Sequence, residues 1–421
     1  MIGQCVGSVV RTQGELVVAA LPLAGIGDGV WLTARSGERI RGRVLAVNER
    51  RATISPLGSI DGLASGDRAE LDATALAAVV GFGALGRAYD AHQIALDGAG
   101  ALAGRYAYPA RHAPTPATRR PVDSPLWTGI RAIDGLLTIG RGARIGIFGA
   151  PGGGKSRLLE MIAAGVSADA VVIGLVGERG REGERWIDRL ADRCTIVCAT
   201  GDRSAGERVR AAELAMLQAE ALRSAGGDAV LILDSLARYV AALREQRVAL
   251  GEPVGRGGYP PAVFAELARY LERGGPTRDG SITIVATVLA DGGDEREPLS
   301  DAARSLLDGH VALSPELARA GRFPAIDVLA SASRTMPHIV GGEHRTAAAV
   351  VRAALAVLDE TREARRLGIG ERDDPPLARA IACEPQLEAF LRQADVDRSY
   401  LMPSRLAGLA AMLGEPEVAP R

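Results

Sequence analysis

A chain of 421 residues exceeds what one ordinary hydrophobic core supports, so two or three domains are expected. Its 47% hydrophobic and 24% charged content, with no apolar run long enough to span a bilayer, reads as soluble and globular. A net charge of −1 argues against a constitutive nucleic-acid surface, and residues 1–10 lack a secretory signal, which leaves a cytoplasmic protein as the expectation.

In chain order, residues 1–74 carry short β-like runs at 15–20, 29–35, 40–48, 51–55 and 68–71, broken by Gly, and predict a small β-barrel or sandwich. Residues 75–123 form a linker and crossing segment, rich in Pro, Arg and Ala from 101 onward. From 124 to 345, apolar strand-like runs at 144–148, 171–176, 195–199, 229–233, 282–288 and 326–330 alternate with helical stretches. That is the mark of a mainly parallel α/β core. Residues 346–421 turn helical, at 346–366, 376–382, 386–394 and 403–413. Cys5, Cys194, Cys198 and Cys383 are scattered, without paired zinc spacing, and are read as reduced thiols.

The chain holds 50 Lys plus Arg, yet one of these alone is lysine. Coding bias explains the arginines; it does not explain the exception. Lys is a compact point charge on a thin stem, Arg a planar fork, and position 155 requires the former. Lys155 closes the run Gly149, Ala150, Pro151, Gly152, Gly153, Gly154, Lys155, Ser156, which fits G-x-x-x-x-G-K-[ST] between an apolar strand and a helical run. Such a loop turns successive N–H groups toward one phosphate, beside the positive end of the following helix. ATP is the expected ligand, with Lys155 bridging its β and γ phosphates, Ser156 on magnesium, and Arg157 counted among the nucleotide contacts.

The apolar strand ending at Asp234 is expected beside the loop-bearing strand, where its carboxylate makes a second Mg²⁺ partner; a helix cap is the plainer reading. Hydrolysis also needs a carboxylate that polarises water. Glu178, Glu182 and Glu184, in Gly177-Glu-Arg-Gly-Arg-Glu-Gly-Glu184, compete for that post, and spacing does not choose among them.

Taken together, Gly177-Glu-Arg-Gly-Arg-Glu182, Leu233-Asp-Ser-Leu-Ala-Arg238, Gly258-Tyr-Pro-Pro261, Leu307-Asp-Gly-His310 and Phe323-Pro-Ala-Ile-Asp-Val328 resemble the ATPases of type III protein secretion and flagellar export. Those relatives are similar to the catalytic β subunit of rotary ATP synthases. The resemblance implies a RecA-like P-loop core with an N-terminal β-barrel and a C-terminal helical domain, assembled as a homohexamer. It further implies Glu178 as the water-activating carboxylate, Arg179 on the γ phosphate and Arg238 as an active-site arginine. Phe323 would pack on adenine, and Arg334 would be a finger offered to the neighbouring subunit, with Glu182 and Glu184 left at the surface. Stator and central-stalk proteins, chaperone–cargo complexes and a peripheral place at the cytoplasmic face of the inner membrane are implied partners and location. Ala150 to Gly153 lean toward the non-flagellar branch. The rival readings are a proton-translocating rotary ATPase subunit, opposed by the acidic stretch at 291–298, and a hexameric RNA translocase, opposed by the single aromatic, Trp31, in residues 1–74.

Overall fold

The computed structural model describes residues 5–109, 112–190, 193–289, 298–367, 375–397 and 401–414. The acidic stretch lies almost wholly outside these. Val6–Gln13, Leu16–Ala20, Gly29–Thr33, Arg39–Asn48, Arg51–Leu57 and Arg68–Leu71 close into a six-stranded barrel. Alternation along Arg39–Asn48 puts Ile40, Gly42 and Val44 inward, where Ile40 and Val44 join Val17, Val30, Leu32 and Ile54 in a dry interior. A barrel rather than a sandwich results because the first strand pairs with both the second and the sixth. That first strand, largely polar and half-exposed, carries too little alternation to be read from sequence.

The central sheet runs, edge to edge, Ile326–Ser333, Gly309–Leu313, Arg144–Gly149, Ser281–Leu289, Asp228–Asp234, Ala170–Glu178, Cys194–Thr200 and Ala88–Asp90. All neighbours along this path are parallel except the first pair. Six of these strands match those expected. The expected adjacency of the Asp234 strand and the loop strand is corrected: Ser281–Leu289 lies between them, pairing with both. Order in a parallel sheet follows the crossovers, which sequence spacing does not encode. Ala88–Asp90, from the segment read as linker, pairs with Ile196–Cys198 and so belongs to the sheet.

Helices cover both sheet faces. One face shares its core with the C-terminal helices Gly342–Glu360, Pro375–Leu391 and Met402–Leu413, so Val351, Leu387, Phe390 and Leu406 pack in one cluster with Leu158 and Ile162 of the loop helix. Two boundaries differ from expectation. The first C-terminal helix starts at Gly342, and the break expected near 383–385 is absent, because Pro385 sits inside the helix Pro375–Leu391. A proline there removes one backbone hydrogen bond. Burial of Leu387, Phe390 and Leu391 just beyond it offsets the loss.

Candidate active site

The phosphate loop follows the strand Arg144–Gly149 and leads into the helix Lys155–Gly165. Gly152 and Gly154 hold φ of 81° and 86°, left-handed backbone that favours glycine and that bends the chain into an open cradle. Lys155 Nζ donates to the Gly149 carbonyl at 2.6 Å, across the mouth of the loop. Ser156 stands in the first turn of the helix, whose leading N–H groups are available to an anion.

Two further strands deliver carboxyls at the same, carboxyl-terminal end of the sheet. Asp234 ends Asp228–Asp234, is 6% exposed, and accepts from Thr287 Oγ1 of the intervening strand at 2.7 Å. Glu178 ends Ala170–Glu178 at 7% exposure, ion-paired with Arg238 Nε at 2.9 Å. Burial, reinforced by Asp234 and Glu182, pushes the Glu178 carboxyl up to about 8. Asp234 is likewise raised, by burial and then by Glu182, while the Thr287 hydrogen bond, Lys155 and Arg238 pull it back.

Glu182 corrects the expectation that it returns to the surface. It is half-buried and near enough to Glu178 to raise that carboxyl, because the helix Gly180–Leu190 begins between them and holds position 182 in its first turn. Glu184, by contrast, is exposed. The four-residue spacing from Glu178 was the available signal for Glu182; nothing in the sequence marked Thr287. Glu182 thus raises both buried carboxyls, opposed by Arg238 at each and by Lys155 at Asp234; among the described residues the three acids do not form a three-ligand metal cluster.

Arg238 is set by the cap of the helix Leu236–Ala249, where Ser235 Oγ accepts from its backbone N–H at 3.3 Å, and its guanidinium also donates to the Gly177 carbonyl. Arg179 is exposed at the start of the Glu182 helix. Phe323 lies against the loop: its ring edge is 3.6 Å from where a side chain on Gly154 would begin, and the ring is 46% exposed. Its carbonyl accepts from Gln393 N at 2.8 Å, tying this ring to the C-terminal helices. Arg157 points elsewhere, with Nη2 donating to the Ala394 carbonyl at 2.9 Å and Nη1 3.7 Å from Glu160.

Arg334 lies at the opposite end of the sheet from the loop. Its N–H donates to Asp308 O at 3.0 Å, and Asp308 N–H donates to Arg144 O at 2.7 Å, so it lies at the amino end of the loop strand. The loop opens five residues further along, about 17 Å away. The Arg334 side chain is exposed.

The sequence model of the ATP synthase alpha/beta family, nucleotide-binding domain, matches residues 129–333. A type 3 secretion system ATPase of Sinorhizobium fredii is 42% identical over 399 residues, 92% of this chain and 88% of that protein. The flagellum-specific ATP synthase of Pseudomonas aeruginosa is 38% identical over 97% of this chain and 93% of its own length. Among solved structures, the assembled ATPase EscN of the enteropathogenic E. coli type III secretion system superimposes with a TM-score of 0.89 at 36% identity, covering 96% of this chain and all of that one. EscN in complex with its central stalk EscO gives 0.87. The chain therefore belongs to the family of type 3 secretion and flagellum-specific ATPases, within the ATP synthase alpha/beta group.

Proposed function

We propose that this ATPase drives a type III protein export apparatus as a homohexamer whose sites are shared between neighbouring subunits. The observation that carries the reading is the split of the site: Lys155, Asp234, Glu178 and Phe323 gather at the carboxyl-terminal end of the sheet, while Arg334 stands exposed at the other. Its distance of about 17 Å from its own loop and its exposure support a role at a neighbour's site. The assembled form of EscN and its complex with a central stalk support a ring and a stalk partner for this chain.

Ser156 and Asp234 would hold magnesium, which supplies charge neutralisation on the β and γ phosphates. Lys155 exchanges the Gly149 carbonyl for phosphate oxygens when nucleotide enters, and Phe323 offers its ring face to the base. Glu178 takes a hydrogen bond from the attacking water and then its proton as the bond to the γ phosphorus forms and ADP leaves. Arg238 orients that carboxylate, Arg179 meets the γ phosphate, and the neighbour's arginine balances charge in the transition state. Stator contact, release and unfolding of chaperone-bound cargo, and a peripheral position at the inner membrane complete the proposal; among the described residues no helix is long and apolar enough to cross a membrane. Ala150 to Gly153 and the 42% relative favour the non-flagellar arm.

The test is complementation. Glu178→Gln and Arg334→Ala chains are each expected to be inactive, but mixed rings place an intact Glu178 beside an intact Arg334 at roughly a quarter of interfaces. Recovery of activity near that fraction is expected on mixing; no recovery at all sinks the shared site.

A further inference from the structure

Between the barrel and the sheet's outer helices lies a half-open cleft of about 550 Å³, far from the phosphate loop in the chain and lined by none of its residues. That volume suits a small organic or inorganic ligand rather than a few waters. Its wall holds Arg43 from the barrel, Arg210 from the helix Ala205–Ser224 and Arg269 from the helix Pro261–Leu271, with Tyr108 at the side. The three acids that line it are already engaged: Asp28 accepts from Gly25 N at 2.8 Å, Glu213 pairs with Arg273 at 2.5 Å, and Glu266 pairs with Arg247. Among the described residues, Arg43, Arg210 and Arg269 have no carboxylate within ion-pair distance.

Arg210 is the unusual member. It is 4% exposed, its Nη2 donates to the neutral carbonyls of Leu76 at 2.8 Å and Ala77 at 3.1 Å, and its Nε and Nη1 have no partner. Burial, opposed by Glu213 and deepened by the charges of Arg41 and Arg43, draws this guanidinium down to about 10. Glu213 offsets part of this charge at a distance, but it is shared with Arg273 and Arg43 and leaves two Arg210 donors unmet; buried donors in that condition point to an anion that completes them. Guanidinium forks match phosphate oxygens in pairs, which a single carboxylate or a water cluster uses less fully.

We propose that this cleft binds a small polyphosphate anion, gripped from the barrel by Arg43 and from the core by Arg210 and Arg269. Such a ligand bridges the two layers and stiffens the barrel on the ATPase core. The inference stands independently of the catalytic assignments above, since it uses none of their residues.

Full-length protein saturated with ADP, so that the phosphate loop is filled, is titrated with inorganic pyrophosphate in a calorimeter. One saturable site per chain is expected, weakened about tenfold or more in Arg43→Ala and in Arg269→Ala, with affinity falling as salt rises. Both variants are expected to bind ADP as the parent does, which shows that they fold. No saturable binding at millimolar pyrophosphate overturns the proposal, as does binding that both variants leave intact. Citrate binding as tightly as pyrophosphate overturns the choice of phosphate as the ligand class.

Discussion

Burial first and Asp234 second push the Glu178 carboxyl up to about 8 against the pull of Arg238, which favours its protonated form at neutral pH before nucleotide arrives. Only the ionised form can take a proton from water. The free enzyme's kcat/KM is therefore expected to climb about tenfold per pH unit below 8 and to level off above it. Stability runs the other way. A carboxyl whose folded value lies above its unfolded one adds stability that is complete below the unfolded value and fades as pH rises through about 8. Glu178→Gln removes both dependences. It is expected to bind nucleotide normally, to lose hydrolysis by about 10³ or more, and to melt above the parent at pH 8. Turnover near the parental rate, or an unchanged pH slope, assigns the water to another carboxyl, with Glu182 and Asp234 the two that act on Glu178. At this scale the sequence was legible where a rigid motif forces geometry, as in the phosphate loop. It was silent on Thr287, whose only signature is a hydroxyl reaching sideways to Asp234.

The strand Ile326–Ser333 is the edge element that leads into Arg334. Its pairing with Gly309–Leu313 slips between His310 and Ala312, and the slip is held from within. Leu329 and Ala330 N–H groups donate to Asp327 Oδ1 at 3.0 and 2.9 Å, Ser331 Oγ accepts from Ala312 N at 2.9 Å, and His310 Nε2 meets the Ala330 carbonyl at 2.9 Å. A bulge satisfied in this way fixes the strand's exit, and so the direction in which Arg334 leaves the sheet. Arg334→Ala is expected to reduce turnover by about 10³ while single-chain nucleotide affinity stays within a factor of about two. A large loss of affinity, measured with a fluorescent nucleotide on dilute protein, would instead seat the arginine in its own subunit's site. Apolar runs revealed most strands of the core, since buried parallel strands are apolar throughout. They did not reveal the order of the strands or the three-residue edge Ala88–Asp90, which owes its existence to a partner more than one hundred residues away.

At the scale of the molecule, the C-terminal helices are not a separate body. They share a core with the loop helix, and Gln393 and Ala394 reach the carbonyl of Phe323 and the guanidinium of Arg157. The composition shift near residue 346 was legible; the shared core was not, because amphipathic periodicity reports that a face is buried and not what covers it. On the shared site proposed above, activity is a property of the assembly. Specific activity is expected to rise with protein concentration through the range in which rings form, and a flat profile across the micromolar range would contradict it. The solitary lysine gives this behaviour an unusually clean reporter. A lysine-specific endoprotease finds one cleavable bond in the chain, Lys155–Ser156, so digestion yields two fragments, residues 1–155 and 156–421. That bond lies inside the nucleotide cradle, and cutting it requires the loop to open. Magnesium and ATP are expected to slow the cut severalfold, so the ratio of intact chain to fragments on a gel becomes a census of empty sites around the ring; equal rates with and without nucleotide would mean that the cradle does not close on its ligand.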